Sequence, residues 1–426
     1  MSDLFWPGDS RAGTLLTSAS LLEAMTRVEA AWLAALVAEG VAPEVAADDL
    51  TSLVGDGDLA QLAGEAESGG NPAIPLVALL RERVAPRNRA AATWLHRGLT
   101  SQDTVDTALA CCLVPVLDTV SGELRSHVEA LLTLLEAHGN RPMTGRTLTQ
   151  PAVPILFGTK IAGWLDGVLG AADLLAAARP GPAVQLGGAA GTMAAAAELA
   201  ALRDLPDPAH VVASLIRDTA GQLGLAPATA WHTTRVRLTR YADALLTCTD
   251  AWGHVANDVL TLSRPEIGEL AEGHGGGSST MPHKANPVLS VLIRRAALAA
   301  PSLAAQLHLA AAEMVEERAG GAWHLEWAAL RDLGRRTVVA ARQATELLRG
   351  LRVHHDRMRT NLEAALPGVL AERRTMAGLL DQAADEDPAT YLGNSATVVE
   401  QARDRARQFL SRPRPSRTPE DQEESG

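Results

Sequence analysis

The amino-acid sequence predicts an all-α protein with more than one domain. The chain has 426 residues, of which 47% are hydrophobic but only 3% aromatic. Alanine and leucine, the best helix formers, dominate the composition, and runs of β-branched residues are scarce. Long stretches also repeat their apolar residues at helical spacing. A chain of this length can bury a large core and usually divides into domains.

The helices can be placed by their apolar periodicity. The first is predicted at about Ser18–Glu39, with Gly40 ending it. Residues 55–75 are rich in Gly, Asp, Asn and Pro and predict loops with short helices. From Asp103 a long helix is expected, kinked at Pro115. Further helical segments, of the lengths that usually form bundles, are predicted near 151–179, 189–203, 208–222, 229–263, 288–315 and 322–351.

These segments suggest three consecutive domains. An N-terminal helical domain is expected over residues 1–103, a central bundle of long helices over 104–350, and a smaller helical domain over 351–411. The tail, 412–426, carries three prolines and many charges. Such a composition cannot bury enough apolar surface to fold, so disorder is predicted there.

Charge and cysteine usage exclude several classes of function. The net charge of −12 argues against binding to nucleic acid or to an acidic membrane surface. The three cysteines, Cys111, Cys112 and Cys248, show no CxxC metal spacing and are expected to be reduced in a cytoplasmic protein. We expect no signal peptide, no membrane span, no metal and no cofactor. A nucleotide loop at Gly187–Thr192 is rejected because no strand precedes it.

The most informative stretch is residues 273–288. Three glycines, two serines and a threonine precede a Pro-His-Lys turn. Asn286 is predicted to cap the next helix and Pro287 to begin it. A helix N-terminus carries partial positive charge, so a small anion could bind there. A flexible surface loop before a helix is the simpler alternative for a glycine-rich segment.

Two earlier segments also carry groups suited to binding carboxylates. Thr100 and Ser101 precede Asp103 at the start of the long helix, and a plain helix cap is the simpler interpretation. Residues 145–151, Gly-Arg-Thr-Leu-Thr-Gln-Pro, predict a turn that carries Thr149 and Gln150. Arg235 is either a ligand for a second carboxylate or an exposed helix arginine.

The string Gly-Ser-Ser-Thr-Met-Pro-His-Lys-Ala-Asn-Pro, residues 277–287, resembles the signature of the fumarase/aspartase superfamily. The segments at Thr100–Ser101 and at 145–150 resemble its two other signatures, and the resemblance covers roughly residues 3–405. It implies a three-domain helical subunit and a homotetramer whose active sites are shared between subunits. It also implies that Ser278 is the catalytic base and that Lys284 acts with it. The implied substrate-binding residues are Thr100, Ser101, Thr149, Gln150, Ser279, Met281 and Asn286.

Leu148 departs from this pattern, because most members of the superfamily have a histidine there as general acid or base. A poor leaving group such as hydroxide or an amine needs an acid, whereas a weakly basic anion does not. Leu148 therefore favours chemistry with a weakly basic anion. The segments 3–9, 28–33, 99–103 and 185–191 resemble bacterial cycloisomerases that lactonise 3-carboxy-cis,cis-muconate in protocatechuate breakdown.

We therefore expect a cycloisomerase, an intramolecular lyase, acting on 3-carboxy-cis,cis-muconate or a related polycarboxylate. In this reaction Ser278 exchanges the proton α to a carboxylate. The alternative is a β-elimination that expels a weakly basic anion, such as nitrite, from a substituted succinate to give fumarate. A helical assembly protein without activity is a third hypothesis, against which Ser278, Lys284 and Asn286 argue.

Overall fold

The computed structural model describes residues 3–274, 276–277, 281 and 285–413. Helix makes up 67% of the described residues, so the all-α prediction is confirmed. The described helices are α1 (Ser18–Ala38), α2 (Leu59–Gly69), α3 (Ala73–Val84), α4 (Arg89–Trp94), α5 (Ser101–His138), α6 (Phe157–Ala178), α7 (Ala194–Leu202), α8 (Pro208–Leu223), α9 (Val236–Leu262), α10 (Val288–Ala312), α11 (Ala322–Gly350), α12 (His355–Val369), α13 (Ala371–Gly378) and α14 (Ser395–Ser411).

Two small antiparallel sheets accompany the helices. The strands β1 (Pro142–Thr147) and β2 (Gln150–Leu156) form a hairpin, and β3 (Leu270–Ala271) pairs with β4 (Arg352–Val353). The helix predicted from residue 151 begins only at Phe157, because the preceding residues pair in the hairpin. The long helix α5 continues through Pro115.

The described residues group into two compact units. Unit 1 comprises Met1–Thr119, Leu175–Leu245 and Pro301–Val338. Unit 2 comprises Val120–Leu174, Leu246–Ala300 and Val339–Gly426. The division into three consecutive domains stays a prediction. The tail predicted to be disordered lies outside the described residues from 414 onward.

Local sequence accounts for the helices of unit 1. Thr17 and Ser20 form a reciprocal capping box at the start of α1. Just after its C-terminal end, Gly40 has a φ of 71°, a left-handed conformation that stops the helix. The apolar stripe of α1 is buried and includes Trp32, which is fully shielded from solvent. Helix α1 packs against α8, so this stripe forms part of the core of unit 1.

In unit 2, helix α12 packs against both strands of the hairpin, and α14 contacts β2. This packing supports the hairpin from one side and leaves its turn exposed. The position of the turn is therefore set by the packed strands behind it.

Three described helices, α5, α6 and α10, are long and apolar enough to cross a membrane by length and composition. The apolar windows of α5 and α6 are 61% and 56% buried within the protein, against 33% for α10. No long charge-free apolar run marks these helices in the sequence, so they were not expected to be candidate spans. The absence of a membrane partner stays a prediction.

Candidate active site

Thr100 and Ser101 lie in unit 1 at the N-terminal end of α5 and are both half-buried. The hydroxyl Oγ1 of Thr100 accepts a hydrogen bond of 2.6 Å from the guanidinium of Arg318. Arg318 is exposed and also approaches the carbonyl oxygen of Ala189 at 3.4 Å. A hydroxyl, an exposed guanidinium and the positive end of a long helix are therefore close together, which suits a carboxylate.

The site formed by Thr100, Arg318 and the start of α5, called the Thr100 corner below, is held in place by Asp103. Its fully buried carboxylate accepts hydrogen bonds from the amide nitrogens of Thr100, Gly187 and Gly188 at 3.0, 3.0 and 2.9 Å. The side chains of Gln185 and His232 each approach it at 3.1 Å. A carboxylate with this many donors fixes the backbone around Thr100, so Asp103 positions the corner.

The Gly187–Gly188 turn must come very close to its neighbours to reach Asp103. A side chain on Gly187 would place its Cβ 2.4 Å from the ring of His232. Gly188 has a φ of +64°, and a Cβ there would lie 3.1 Å from the carbonyl oxygen of Gly98. The backbone amides of Gly187 and Gly188 are therefore already bonded to a carboxylate of the protein itself, that of Asp103.

Arg235 does not have the role expected from the sequence. Its side chain is completely buried, and it forms ion pairs with Asp106 at 2.7 Å and Glu326 at 2.5 Å. Burial alone lowers the pKa of Arg235, but these two carboxylates more than offset the effect and raise it. Because its guanidinium pairs with two internal carboxylates, Arg235 stabilises the core of unit 1. The expectation that Arg235 binds a substrate carboxylate is therefore corrected.

A histidine and a buried glutamate form a pair just before the Thr100 corner. Nδ1 of His96 lies 2.8 Å from Oε1 of Glu29, whose side chain is fully buried. The same oxygen accepts a 2.8 Å hydrogen bond from the hydroxyl of Thr104 in the first turns of α5. Burial lowers the pKa of His96, but the charge and hydrogen bond of Glu29 outweigh it, so the pKa is raised.

The second predicted segment forms the tip of the β1–β2 hairpin in unit 2. Thr147 pairs with Gln150, which leaves Leu148 and Thr149 as a two-residue turn with φ values of 47° and 71°. Both residues have the left-handed backbone that glycine and asparagine adopt more easily. Leu148 is 95% exposed, and the exposed side chain of Gln150 donates to Oγ1 of Thr149 at 3.3 Å.

A buried ion pair holds the hairpin in place. Arg146 of β1 forms two hydrogen bonds, of 2.9 and 2.7 Å, with the carboxylate of Glu269. Glu269 is fully buried and also accepts a 2.8 Å hydrogen bond from the side chain of Asn361 in α12. This arrangement joins the hairpin to the segment just before the glycine-rich loop.

The described residues of the glycine-rich segment form its stem. Gly276 and Asn286 exchange backbone hydrogen bonds of 2.7 and 2.9 Å, and the side chain of Asn286 donates to the carbonyl of Gly277 at 3.3 Å. Met281 is 42% exposed. Ser278, Ser279 and Lys284 lie outside the described residues.

The N-terminus of α10 is already occupied by an internal anion. The buried carboxylate of Glu272 accepts hydrogen bonds from the amides of Leu289 and Ser290 at 3.1 and 2.8 Å. The hydroxyl of Ser290 adds a third, at 2.7 Å. The prediction that Asn286 caps this helix is therefore wrong, because Glu272 caps it across the loop.

Sequence reasoning missed Arg318, Glu272 and Glu269. Each acts on a residue distant in sequence: Arg318 is 218 positions from Thr100, and Glu269 is 123 from Arg146. In the sequence, only the charge of these three side chains could have indicated that they take part in the site. Among the described residues no group of three or more His, Cys, Asp or Glu side chains could hold a metal ion.

Comparison with known proteins identifies the class of this chain. A family model described as a lyase matches residues 23–301. The chain therefore belongs to this lyase family, within the fumarase/aspartase superfamily, and is an enzyme of that superfamily.

The chain is similar to enzymes of two activities. It is 40% identical to nitrosuccinate lyase from Streptomyces davaonensis over 85% of this chain and 78% of that protein. It is 39% identical to 3-carboxy-cis,cis-muconate cycloisomerase from Pseudomonas aeruginosa over 84% of this chain and 76% of that protein. The crystal structure of the 3-carboxy-cis,cis-muconate lactonizing enzyme from Pseudomonas putida matches with a TM-score of 0.82 at 29% identity, covering 94% and 97% of the two chains.

Proposed function

We propose that the protein is a cycloisomerase that lactonises 3-carboxy-cis,cis-muconate or a related polycarboxylate. The observation that carries this proposal is the hairpin tip, where Leu148 presents an exposed hydrocarbon side chain instead of a proton donor. In lactonisation a carboxylate oxygen of the substrate adds to a double bond. Since the attacking group is an ionised carboxylate with no proton to lose, the reaction needs no second acid or base opposite Ser278.

Ser278 supplies the proton in this mechanism. Addition of the carboxylate oxygen leaves negative charge on the neighbouring α-carbon and its carboxylate. Lys284 and Asn286 stabilise that charge, and the hydroxyl of Ser278 protonates the carbon and later recovers its proton from solvent. Thr100, Ser101, Thr149, Gln150, Ser279 and Met281 hold the substrate's carboxylates. Arg318 replaces Arg235 in this set, since its exposed guanidinium bonds Thr100.

The second candidate is elimination of nitrite from nitrosuccinate, and the 40% identity to the Streptomyces enzyme favours it. Here Ser278 removes the proton α to a carboxylate, the electron pair forms the new double bond, and nitrite departs without protonation. The products are fumarate and nitrite. Leu148 is equally compatible with this chemistry, because nitrite is a weakly basic anion.

Two assays separate the candidates. Loss of ultraviolet absorbance on mixing the purified protein with 3-carboxy-cis,cis-muconate reports lactonisation. Formation of fumarate from nitrosuccinate reports elimination. Turnover of the first substrate without the second supports the cycloisomerase, the reverse supports the nitrite-releasing lyase, and failure of both contradicts the proposed function.

We also propose that the enzyme works as a cytoplasmic homotetramer with active sites shared between subunits. One face of α10 supports self-association, because it exposes apolar side chains at helical spacing: Val288, Val291, Leu298 and Leu309 are 38%, 52%, 71% and 61% exposed. Light scattering after gel filtration tests this assembly. Leu298→Glu should dissociate it, and a monomeric wild-type enzyme with full activity would contradict it.

A further inference from the structure

His96 is held in an uncommon backbone conformation with its ring partly open to solvent. Its φ of 64° is unusual for a residue with a side chain, and such strain is often found at functional sites. The side chain keeps 17% of its surface exposed, whereas Glu29 behind it keeps none. Among the described residues, Nδ1 is bonded to Glu29 and no partner is bonded to Nε2. One ring nitrogen is therefore left for another ligand.

Glu29 needs a cation, and His96 is the group bonded to it. Oε1 of Glu29 is bonded to Thr104 and His96, whereas Oε2 is buried and has no hydrogen-bond partner among the described residues. A buried carboxylate with so few donors is costly unless a positive charge lies beside it. This favours the imidazolium form of His96.

The charged groups around His96 come from three helices. Glu29 of α1 and Asp103 of α5 raise its pKa, while burial and Arg81 of α3 lower it. Arg81 directs its guanidinium to the carbonyl oxygen of Leu95 at 2.8 Å, next to His96 in the chain. The two carboxylates outweigh the burial and the arginine, so the raised pKa agrees with the hydrogen-bonding argument.

The pair lies beside the corner formed by Thr100 and Arg318. Glu29 bonds Thr104, which lies one helical turn after Thr100 and therefore on the same side of α5. Asp103, which is close enough to act on His96, is also bonded to the amide of Thr100. The backbone between them is fixed as well, since the indole nitrogen of Trp32 donates to the carbonyl oxygen of Arg97 at 2.7 Å.

We propose that His96, kept protonated by Glu29, is a second cationic anchor for substrate carboxylates beside Thr100 and Arg318. This inference rests on the proposed function and deepens it. Two cations near one helix end select substrates that carry at least two carboxylates on this side of the site. A cation that can titrate also makes substrate binding weaken as the pH rises.

The test is direct binding of tricarballylate, a non-reacting tricarboxylate, measured by calorimetry at pH 6.5 and pH 8.5. At pH 6.5, His96→Gln should weaken binding about tenfold or more, because a charge-assisted hydrogen bond is lost. Binding by the wild type should weaken toward pH 8.5, and binding by His96→Gln should not. Glu29→Gln should move the wild-type pH dependence to lower pH, because the carboxylate that favours the imidazolium is gone.

His308→Gln is the matched control. His308 forms a comparable pair with Asp243 at 2.9 Å, but both side chains are largely exposed. It should bind tricarballylate as the wild type does. Binding by His96→Gln within twofold of the wild type at pH 6.5 would overturn the inference.

A second measurement on the wild type guards against misfolded variants. With ¹³C label at Cε1 of histidine, tricarballylate should raise the pH at which the His96 resonance leaves its protonated position, because a bound carboxylate stabilises the imidazolium; an unchanged titration midpoint at saturation would overturn the anchor. If His96 is unimportant while the enzyme still turns over its substrate, only this inference fails. If tricarballylate binds through His96 but neither proposed substrate reacts, the proposed reaction fails and the carboxylate subsite stands. If neither binding nor reaction occurs, both are contradicted.

Discussion

Replacing Asp103 with asparagine should destabilise unit 1 strongly, although the two side chains have nearly the same shape. Oδ1 of Asp103 faces Gln185, Gly187 and His232, and Oδ2 faces the amides of Thr100 and Gly188. An asparagine can present an oxygen to only one of these two sets. Its amino group, which is itself a donor, must then face the other set.

The smaller loss follows if the asparagine oxygen takes the place of Oδ1. The amides of Thr100 and Gly188 are then left without an acceptor. A buried donor without a partner costs about 1–3 kcal/mol, so two cost about 2–6 kcal/mol. The opposite orientation leaves at least two donors, the backbone amide of Gly187 and the side-chain amide of Gln185, without an acceptor, so its cost is no smaller. We therefore expect the free energy of unfolding to fall by at least about 2 kcal/mol.

Urea unfolding followed by tryptophan fluorescence and circular dichroism measures this change. The control is Asp118→Asn, whose ion pair with Arg179 in the same unit is about one-third exposed on both sides. That variant should lose less than about 1 kcal/mol, as exposed ion pairs usually do. If Asp103→Asn destabilises the protein no more than the control does, Asp103 does not anchor the backbone as described.

Three further predictions address other parts of the molecule. Arg318→Met should raise KM at least about tenfold, because a charged hydrogen bond to a substrate carboxylate is lost. Arg331→Met, at another exposed arginine, is the control. An unchanged KM in Arg318→Met would show that Arg318 does not bind the substrate. Leu148→Asn should stabilise the hairpin by about 0.5–1 kcal/mol, since asparagine tolerates a positive φ better. It should leave kcat within about threefold, whereas a large loss of kcat would show that Leu148 does more than lack a proton donor. Burial lowers the pKa of His127 to about 4, so folding favours its neutral form and stability is lost as the pH falls from about 6.5 to 4. The wild type should lose about 3 kcal/mol more over that range than His127→Gln in urea titrations, and parallel losses would contradict this.

The helical architecture could be predicted because it depends on local patterns. The apolar stripe of α1 lies within the helix itself, and the residues that begin and end α8 lie directly beside that helix. Asp207 accepts a hydrogen bond from the amide of His210, Pro208 follows as the first helical residue, and Gly224 ends the helix at a φ of 65°. The β1–β2 hairpin was missed because its turn is Leu148–Thr149 and not a glycine-containing pair, so the usual signal is absent.

The site could be predicted only in part, for a related reason. The signatures alone predict Thr100, Ser101, Gln150 and Asn286 as substrate-binding residues, and these assignments stay predictions. Whether an arginine reaches the substrate depends on partners far away in the chain: Arg235 meets Asp106 and Glu326 in the core, while Arg318 meets Thr100. Sequence spacing does not reveal these contacts.

The central claim is that this enzyme performs proton exchange through Ser278 on a polycarboxylate whose leaving or attacking group is a weakly basic anion. The most direct measurement incubates the wild type and Ser278→Ala separately with 3-carboxy-cis,cis-muconate and with nitrosuccinate, following ultraviolet bleaching and fumarate formation. We predict turnover of one of these substrates by the wild type and a loss of about a thousandfold in Ser278→Ala, within the range for a removed acid or base. Equal rates for the two proteins, or no turnover of either substrate by the wild type, would contradict the claim.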